Sequence, residues 1–374
     1  MKIAFDVSYI QTKRAGYGRF SLELLKALIE HDRENKYLLH GWSFSLDMNE
    51  LLKFKGANVE LRSARIPGFF KRAYWNTLRA PKLETLIGDF DLFHGAEPML
   101  PPTGKKKIAT LYDLSYKKFP QFFESGVLDW DPYVTRTVNE ADSIIVPSIN
   151  TKNDLVSFFS VPPEKVRVVH LPAAKCFSPE RSKEDVSLQS RYGLGANFIL
   201  FTGSLEPRKN IPLLIKAFEQ VHQNHLDIQL VLAGKRGWLF EEIFKVLERS
   251  PAKQNIRYLD YVPEQDLAAL YRSSLFFVYL SLYEGYGLPV IEAMASGTPV
   301  ITSNSSSLGE IGEGAAILID PTRVDELVAA MESLYSNPPL RQDFSLMGLS
   351  RAKEFSRAAA AGTVLDLYRM LGTK

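Results

Sequence analysis

Short apolar runs alternate with longer helical stretches along this chain, and that rhythm restricts the fold more than any other feature of the sequence. Ile3–Val7, Tyr37–His40, Leu92–His94, Ile108–Leu111, Ile144–Val146 and Val166–His170 read as buried strands. A second series follows at Phe198–Phe201, Gln229–Leu232, Ile256–Leu259, Leu275–Leu280, Val300–Thr302 and Ala316–Ile319. Such alternation builds parallel sheets covered by helices. Two series in 374 residues predict two Rossmann-like α/β halves, and no sequence repeat relates them. The polar run Ser178–Asp185 is the clearest boundary between them. One domain is therefore expected over residues 1–178 and another over 186–355, with a helical tail over 356–374.

The net charge of +2 gives no reason to expect a nucleic-acid partner, although basic residues exceed acidic ones up to residue 178 and the balance reverses beyond it. A single cysteine, Cys176, excludes an internal disulfide and a cysteine-based zinc site. Asp89-Phe90-Asp91 and Asp129-Trp130-Asp131 each place two carboxylates two apart, a common spacing without further context; His222 and His225 lack additional ligands in sequence. No metal or other cofactor is expected. The first residues, Met1–Asp6, turn acidic too soon for a signal peptide, and no apolar run approaches the ~18–20 residues of a membrane span. A cytoplasmic protein is expected. Pro67–Arg79 interleaves aromatics with cations, and Lys105-Lys106-Lys107 adds more charge. These stretches fit either peripheral contact with the cytoplasmic membrane face or an ordinary helix packed into the first domain.

The most informative stretch is Tyr283–Gly297. Pro289 suits the first turn of a helix and Gly297 the residue just beyond its end, so Pro289–Ser296 is expected to form about two helical turns, with Glu292 in the first. Gly285 and Gly287 allow the preceding loop, with Tyr286 and Leu288, to approach a ligand closely. A glycine loop opening a helix suits a phosphate, while Glu284 and Glu292 suit hydroxyls. A phosphate flanked by hydroxyl-bearing groups describes a sugar nucleotide. A second such place begins with Phe198–Thr202, where a buried strand runs into Gly203-Ser204 and the basic pair Arg208-Lys209. The carboxyl ends of strands in open α/β sheets are the usual ligand position. Lys235 repeats the arrangement after the next strand. Near the N-terminus, Gly16-x-Gly18 precedes a helix, but Ser21 breaks the dinucleotide fingerprint, so a phosphate contact is expected there without a nicotinamide cofactor.

Glu284-Gly285-Tyr286-Gly287-Leu288-Pro289, Glu292-Ala293-Met294-Ala295-Ser296-Gly297 and Pro299-Val300-Ile301 together resemble the E-x7-E signature of the retaining glycosyltransferases of family GT4. Those enzymes have the GT-B fold, two Rossmann-like domains facing each other across a cleft. The resemblance extends over essentially the whole chain. It implies that Arg208 and Lys209 neutralise the donor diphosphate, that Glu284 holds the donor sugar and Glu292 the ribose, and that Tyr261 and Val262 meet the nucleobase. It also implies that the Gly16–Gly18 loop faces donor and acceptor, and that the tail helix crosses back to the first domain. Ile108–Tyr116 resembles the family segment ending in His-Asp-Leu, with Tyr112 in place of the histidine and Asp113 and Leu114 matching. His94 is expected at the edge of the cleft, and Tyr112 beside the sugar or closing a core. The donor implied first is GDP-mannose, from likeness to bacterial mannosyltransferases of polysaccharide assembly, with UDP-glucose and 6-deoxysugar nucleotides as alternatives. The acceptor would be a saccharide or a lipid-linked saccharide. Another sugar-nucleotide enzyme of the same fold, an epimerase or hydrolase, and a non-catalytic sugar-nucleotide-binding protein are the competing readings.

Overall fold

The computed structural model describes residues 1–11, 16–41, 46–56, 58–63, 75, 78–96, 99–123, 130–181 and 183–372, without the side chains at 183, 184, 186 and 189. Most of Pro67–Arg79, and Asp129 of one D-x-D pair, lie outside these residues. The chain divides into two compact units: Met1–Leu114 with Ser125–Leu171 and Ser356–Lys374, and Pro172–Phe355 with Ser115–Glu124. The boundary thus falls near Leu171, ahead of the polar run expected to mark it. That run belongs to the second unit because Asp185 forms a two-pronged ion pair with Arg272, at 2.8 and 2.7 Å. Asp185 is buried in that pair, while Pro179, Glu180 and Arg181 remain exposed.

The first unit carries a seven-stranded sheet formed by β1 (Lys2–Asp6), β2 (Lys36–Gly41), β3 (Val59–Ser63), β4 (Leu92–Gly95), β5 (Lys106–Thr110), β6 (Ser143–Val146) and β7 (Val166–Val168). Their spatial order is β3-β2-β1-β4-β5-β6-β7, parallel throughout. The second unit carries β8 (Asn197–Thr202), β9 (Ile228–Ala233), β10 (Ile256–Leu259), β11 (Phe276–Tyr279), β12 (Val300–Ser303) and β13 (Ile317–Ile319). These are ordered β10-β9-β8-β11-β12-β13, again parallel. Central strands are apolar because helices cover both faces. β3 was absent from the expected set. Its sequence, Val-Glu-Leu-Arg-Ser, alternates, since it lies at the sheet edge with β2 as its neighbour and leaves Glu60 in water.

Each sheet reverses direction once. In the first, the chain winds outward from β1 to β3 and restarts at β4 beside β1; in the second it winds from β8 to β10 and restarts at β11 beside β8. The loops leaving the two strands at such a switch point diverge and open a crevice at their carboxyl ends. In the first unit that edge is followed by Ser8 and Tyr9 after β1; in the second it is followed by Gly203 after β8 and by Leu280–Glu284 after β11.

The tail helix, Arg357–Gly372, belongs to the first unit and packs along the helix Gly16–His31. Leu25 and Leu28 on one helix and Val364 and Tyr368 on the other are buried, each worth about 1.5–3 kcal/mol relative to exposure. Arg357 joins the two ends by pairing with Glu23 at 2.5 Å and Glu30 at 3.3 Å.

Candidate functional site

Two loops meet at the switch point of the second unit. The loop after β8 turns through Pro207–Lys209 and leads into the helix Ile211–Asn224; the loop after β11 carries Tyr283 and Glu284 and leads into the helix Leu288–Ala295. The glycines make this possible at two points. Gly234, with φ +152°, lies so close to Gly203 that an added Cβ would sit 2.0 Å from the Gly203 carbonyl oxygen. Gly287 has φ +124°, and a Cβ there would meet Leu308 at 2.9 Å.

The side chains interlock. Arg208 Nη1 lies 2.8 Å from Glu284 Oε2, and Arg208 Nη2 lies 2.8 Å from Glu206 Oε1. Lys209 Nζ makes a short contact with Glu284 Oε1, donates to the Tyr279 hydroxyl at 2.6 Å, and stands 3.9 Å from Glu206. Tyr279 in turn donates to Glu284 Oε1 at 3.0 Å. Arg208 also donates to the Tyr283 carbonyl at 3.0 Å, and Leu282 N donates to the Arg208 carbonyl at 2.8 Å, which locks the two loops together. Ser306 accepts from the Glu284 amide, and Ser307 donates to the Glu284 carbonyl. Arg208 and Lys209 thus sit in one cluster with Glu284 and are paired to it directly. Sequence reading missed Glu206 and Tyr279. Glu206 stands two residues before Arg208 and Tyr279 ends the strand before Glu284; the surplus of cations over a single acid was the available signal.

The electrostatics follow from burial. Glu284 is 8% exposed. Burial alone would raise its pKa, but Arg208 and Lys209 outweigh that effect and hold it at about 2. The Lys209 ammonium is lowered by burial and by Arg208, against the opposing pull of Glu284 and Glu206. Burial and the neighbouring Glu284 carboxylate keep Tyr279 protonated, well above the ordinary phenol value. Two cations and two carboxylates leave the cluster formally neutral. An incoming anion would compete with Glu284 for Arg208 and Lys209, and a carboxylate released in this way is an acceptor for hydroxyls.

Other residues of the second unit surround this cluster or stand apart from it. Gly203 and Ser204 are half-buried at the end of β8. Lys235 Nζ stands 4.8 Å above the Tyr261 ring, which is 52% exposed, while Val262 is buried. Gly285, Tyr286, Gly287 and Leu288 are buried between Glu284 and the helix. That helix begins one residue earlier than expected, so Glu292 falls in its second turn. Glu292 is 1% exposed and accepts from the Tyr271 hydroxyl at 3.2 Å.

In the first unit, His94 lies inside the domain, contrary to the expected edge position. Its Nδ1 faces the Tyr368 hydroxyl at 2.7 Å and its Nε2 the Thr110 hydroxyl at 2.9 Å, with Phe5 against its ring. Burial lowers its pKa to about 3, so it is neutral near pH 7. Its reach comes from the last strand residues of a fully covered sheet, which sequence alone presents as a strand end. Tyr112 is also buried, and its hydroxyl is shared with Ser21 Oγ at 2.6 Å. Asp113 is half-buried and accepts from the Tyr17 hydroxyl at 2.9 Å. Gly16 opens the helix on its exposed side, and Gly18 is buried within it. Lys105, Lys106 and Lys107 pair with Asp89, Asp142 and Glu140. Among the described residues, no helix is long and apolar enough to cross a membrane, and no group of three or more His, Cys, Asp or Glu could hold a metal ion.

The family model for "Glycosyltransferase Family 4" matches residues 15–173, and that for "Glycosyl transferases group 1" matches residues 183–348. The O-antigen chain mannosyltransferase B of Escherichia coli is 29% identical over 99% of this chain and 100% of its own length. The serotype-specific mannosyltransferase WbdA of Escherichia coli is 26% identical over 62% of this chain but only 29% of its own length. The structure of Anabaena HepE in complex with UDP and glucose superposes with a TM-score of 0.79 at 17% identity, covering 99% of this chain and 100% of that one. Two doubly wound parallel sheets, one bearing the Arg208–Lys209–Glu284 cluster at its switch point, and these full-length likenesses make the protein a glycosyltransferase of the GT-B fold. Within that class the chain is GT4-like, similar to the Glycosyltransferase Family 4 model over residues 15–173 and to the O-antigen mannosyltransferase from end to end.

Proposed function

We propose that the protein transfers mannose from GDP-mannose to a saccharide or lipid-linked saccharide, with retention of anomeric configuration and without a metal ion. The observation that carries the chemistry is the burial of Arg208 and Lys209 against Glu284 between the loops that follow β8 and β11. Cleavage of the anomeric carbon–oxygen bond leaves positive charge on the sugar and negative charge on the departing diphosphate. Once the donor has displaced Glu284 from them, cations already in place at that diphosphate oppose its charge with no further reorganisation as the bond breaks, which is usually the largest contribution to catalysis. Arg208 supplies a planar fork and Lys209 a point charge. On donor binding, Glu284 exchanges these partners for sugar hydroxyls, and Glu292 takes the ribose. The departing phosphate oxygen accepts the proton from the acceptor hydroxyl, so the new bond forms on the face the leaving group vacates and no separate base is required. The choice of mannose rests on the likeness to two mannosyltransferases, one of which, the O-antigen chain mannosyltransferase B, matches this chain from end to end. Protein acting at a cytoplasmic membrane face is the setting this acceptor class implies.

The test is transfer from GDP-mannose to mannose-containing acceptors, compared with UDP-glucose and a 6-deoxysugar nucleotide. GDP-mannose is expected to be the productive donor, and Arg208→Ala is expected to lose about 10²–10³-fold in kcat. Productive transfer from UDP-glucose alone would replace the donor assignment; unimpaired turnover in Arg208→Ala would remove the role of the cluster.

A further inference from the structure

Thr302-Ser303-Asn304-Ser305-Ser306-Ser307 places five hydroxyls in six residues, at the end of β12 and in the loop that follows it. Main-chain pairing between β11 and β12 ends at Tyr279 and Thr302. Beyond that point the hydroxyls take over. Thr302 donates to the Tyr279 carbonyl at 2.7 Å and Ser303 to the Ser281 carbonyl at 2.6 Å. Ser305 reaches the Leu282 carbonyl more loosely, at 3.5 Å. Ser306 accepts from the Glu284 amide at 3.1 Å, and Ser307 faces the carbonyls of Glu284 at 2.9 Å and of Tyr286 at 2.5 Å. The run thus follows the loop after β11 from Tyr279 to Tyr286, and each of these bonds ends on a main-chain atom of that loop.

The support behind these hydroxyls is firm. Thr302, Ser303 and Ser307 are fully buried, where a hydroxyl without a partner is costly. The helix Ser306–Gly312 is anchored by Leu308 and Ile311, both fully buried, and Arg351 donates to the carbonyls of Glu310 and Ile311 at its far end, at 2.8 and 3.3 Å. Ser306 has φ +52°, a left-handed backbone that residues other than glycine rarely adopt. Glycine would fit that backbone with less strain but would bring no hydroxyl. Strain kept at the residue that meets the Glu284 amide points to a use for that hydroxyl. On the opposite side, Leu282 N is bonded to the Arg208 carbonyl, so the loop is gripped from two directions. The Glu284 side chain is held differently. Its partners are Arg208, Lys209 and Tyr279, the first two being the cations that an anionic donor would claim.

We propose that Ser306 and Ser307 are positioning residues for sugar transfer: their hydroxyls clamp the main chain at Glu284 and Tyr286, so that only the Glu284 side chain moves when it exchanges its cations for the hydroxyls of the donor sugar. The inference rests on the transfer reading above. The clamp keeps the Glu284 carboxylate within reach of both sets of partners without letting the loop drift. It does so through the main chain alone, which leaves the side chain free to change partners.

The test uses the full-length protein with GDP-mannose as donor and an α-linked mannobiose glycoside as acceptor probe. Turnover is expressed per folded molecule, with the folded fraction read by circular dichroism at the assay temperature. Ser306→Gly removes the hydroxyl while suiting the left-handed backbone, so relief of strain opposes the lost bond and the variant should melt within about 3 °C of wild type. Its kcat is expected to fall about ten- to a hundredfold, because a loosened loop misplaces the carboxylate. Its acceptor KM should stay within about twofold of wild type, as for an interaction that matters in the transition state. A merely structural serine would move the melting temperature and leave kcat per folded molecule alone. Hydrogen–deuterium exchange over residues 281–287, run without substrate, should show faster exchange in Ser306→Gly than in wild type, since the Glu284 amide loses its acceptor. Ser307→Ala supplies an independent second variant, with the same expected loss of kcat, should Ser306→Gly fold poorly. Wild-type kcat per folded molecule in the variant tested overturns the inference, as does exchange in the loop that matches wild type. Exchange needs no donor, and wild-type turnover reports on the proposed function by itself, so failure of one is not mistaken for failure of the other.

Discussion

Replacing Glu284 by glutamine tests whether the cluster is held together by that one carboxylate. The carboxyl of Glu284 stands at about 2 instead of 4.5, because Arg208 and Lys209 outweigh its burial. At 1.36 kcal/mol per unit, the displacement corresponds to roughly 3 kcal/mol of coupling to folding, an order-of-magnitude figure. The sign is that of a depressed acid: the contribution is complete above the unfolded value and is lost as pH falls from about 4.5 towards 2. Glu284→Gln removes the charge but keeps the shape. It leaves Arg208 and Lys209 with Glu206 as the remaining acid of the cluster, and breaking a buried pair from one side costs about 3–5 kcal/mol. For a unit of this size, thermal melts near pH 7 should drop by roughly 6–20 °C. Part of the wild-type loss of stability below pH 4.5 should also disappear, since the variant lacks the group that titrates there. Calorimetry or circular dichroism across pH 2.5–7 provides the readout, with both pH limits set by roughly the titration range of a carboxyl group. A variant that melts within about 2 °C of wild type and loses stability in acid with the same slope would refute the electrostatic account of the cluster.

Further expectations concern the same structure. Tyr279→Phe deletes the hydroxyl between Lys209 and Glu284 and should lower stability by about 1–3 kcal/mol in urea titrations, with the ring stack on Phe201 preserved. His94 is neutral and buried with a pKa of about 3, below its ordinary 6.5, so stability should fall as pH drops from about 6.5 towards 3. His94→Gln should flatten that part of the profile in melts followed over the same range. Proposed metal independence predicts that turnover survives prolonged dialysis against EDTA; loss restored by a divalent cation would contradict it.

The sequence shows the parallel sheets plainly because their central strands are apolar on both faces, and it hides β3 because an edge strand alternates. Although their direct pairing with one another was not expected, Arg208, Lys209 and Glu284 were legible as candidates for one ligand site, since glycine loops at strand ends announce such a place. Glu206 and Tyr279 were not, since which neighbour completes a buried charge cluster depends on distances that no spacing rule carries. His94 misled for a related reason. A histidine at the end of a strand reads as ligand-facing until Tyr368, far away in the chain, is seen to occupy its Nδ1. Asp185 was hidden in the opposite sense, because within a polar run nothing distinguishes the one carboxylate that pairs with a distant arginine from the charges that stay exposed.

The most direct test is a two-dimensional NMR assignment of the product formed from GDP-mannose and a mannosyl acceptor, run with wild type and with Glu284→Ala. The account predicts a single new α-mannosidic linkage, matching the configuration of the donor, from wild type and none from a folded Glu284→Ala protein. A β-linked product, or undiminished product from Glu284→Ala, would contradict it.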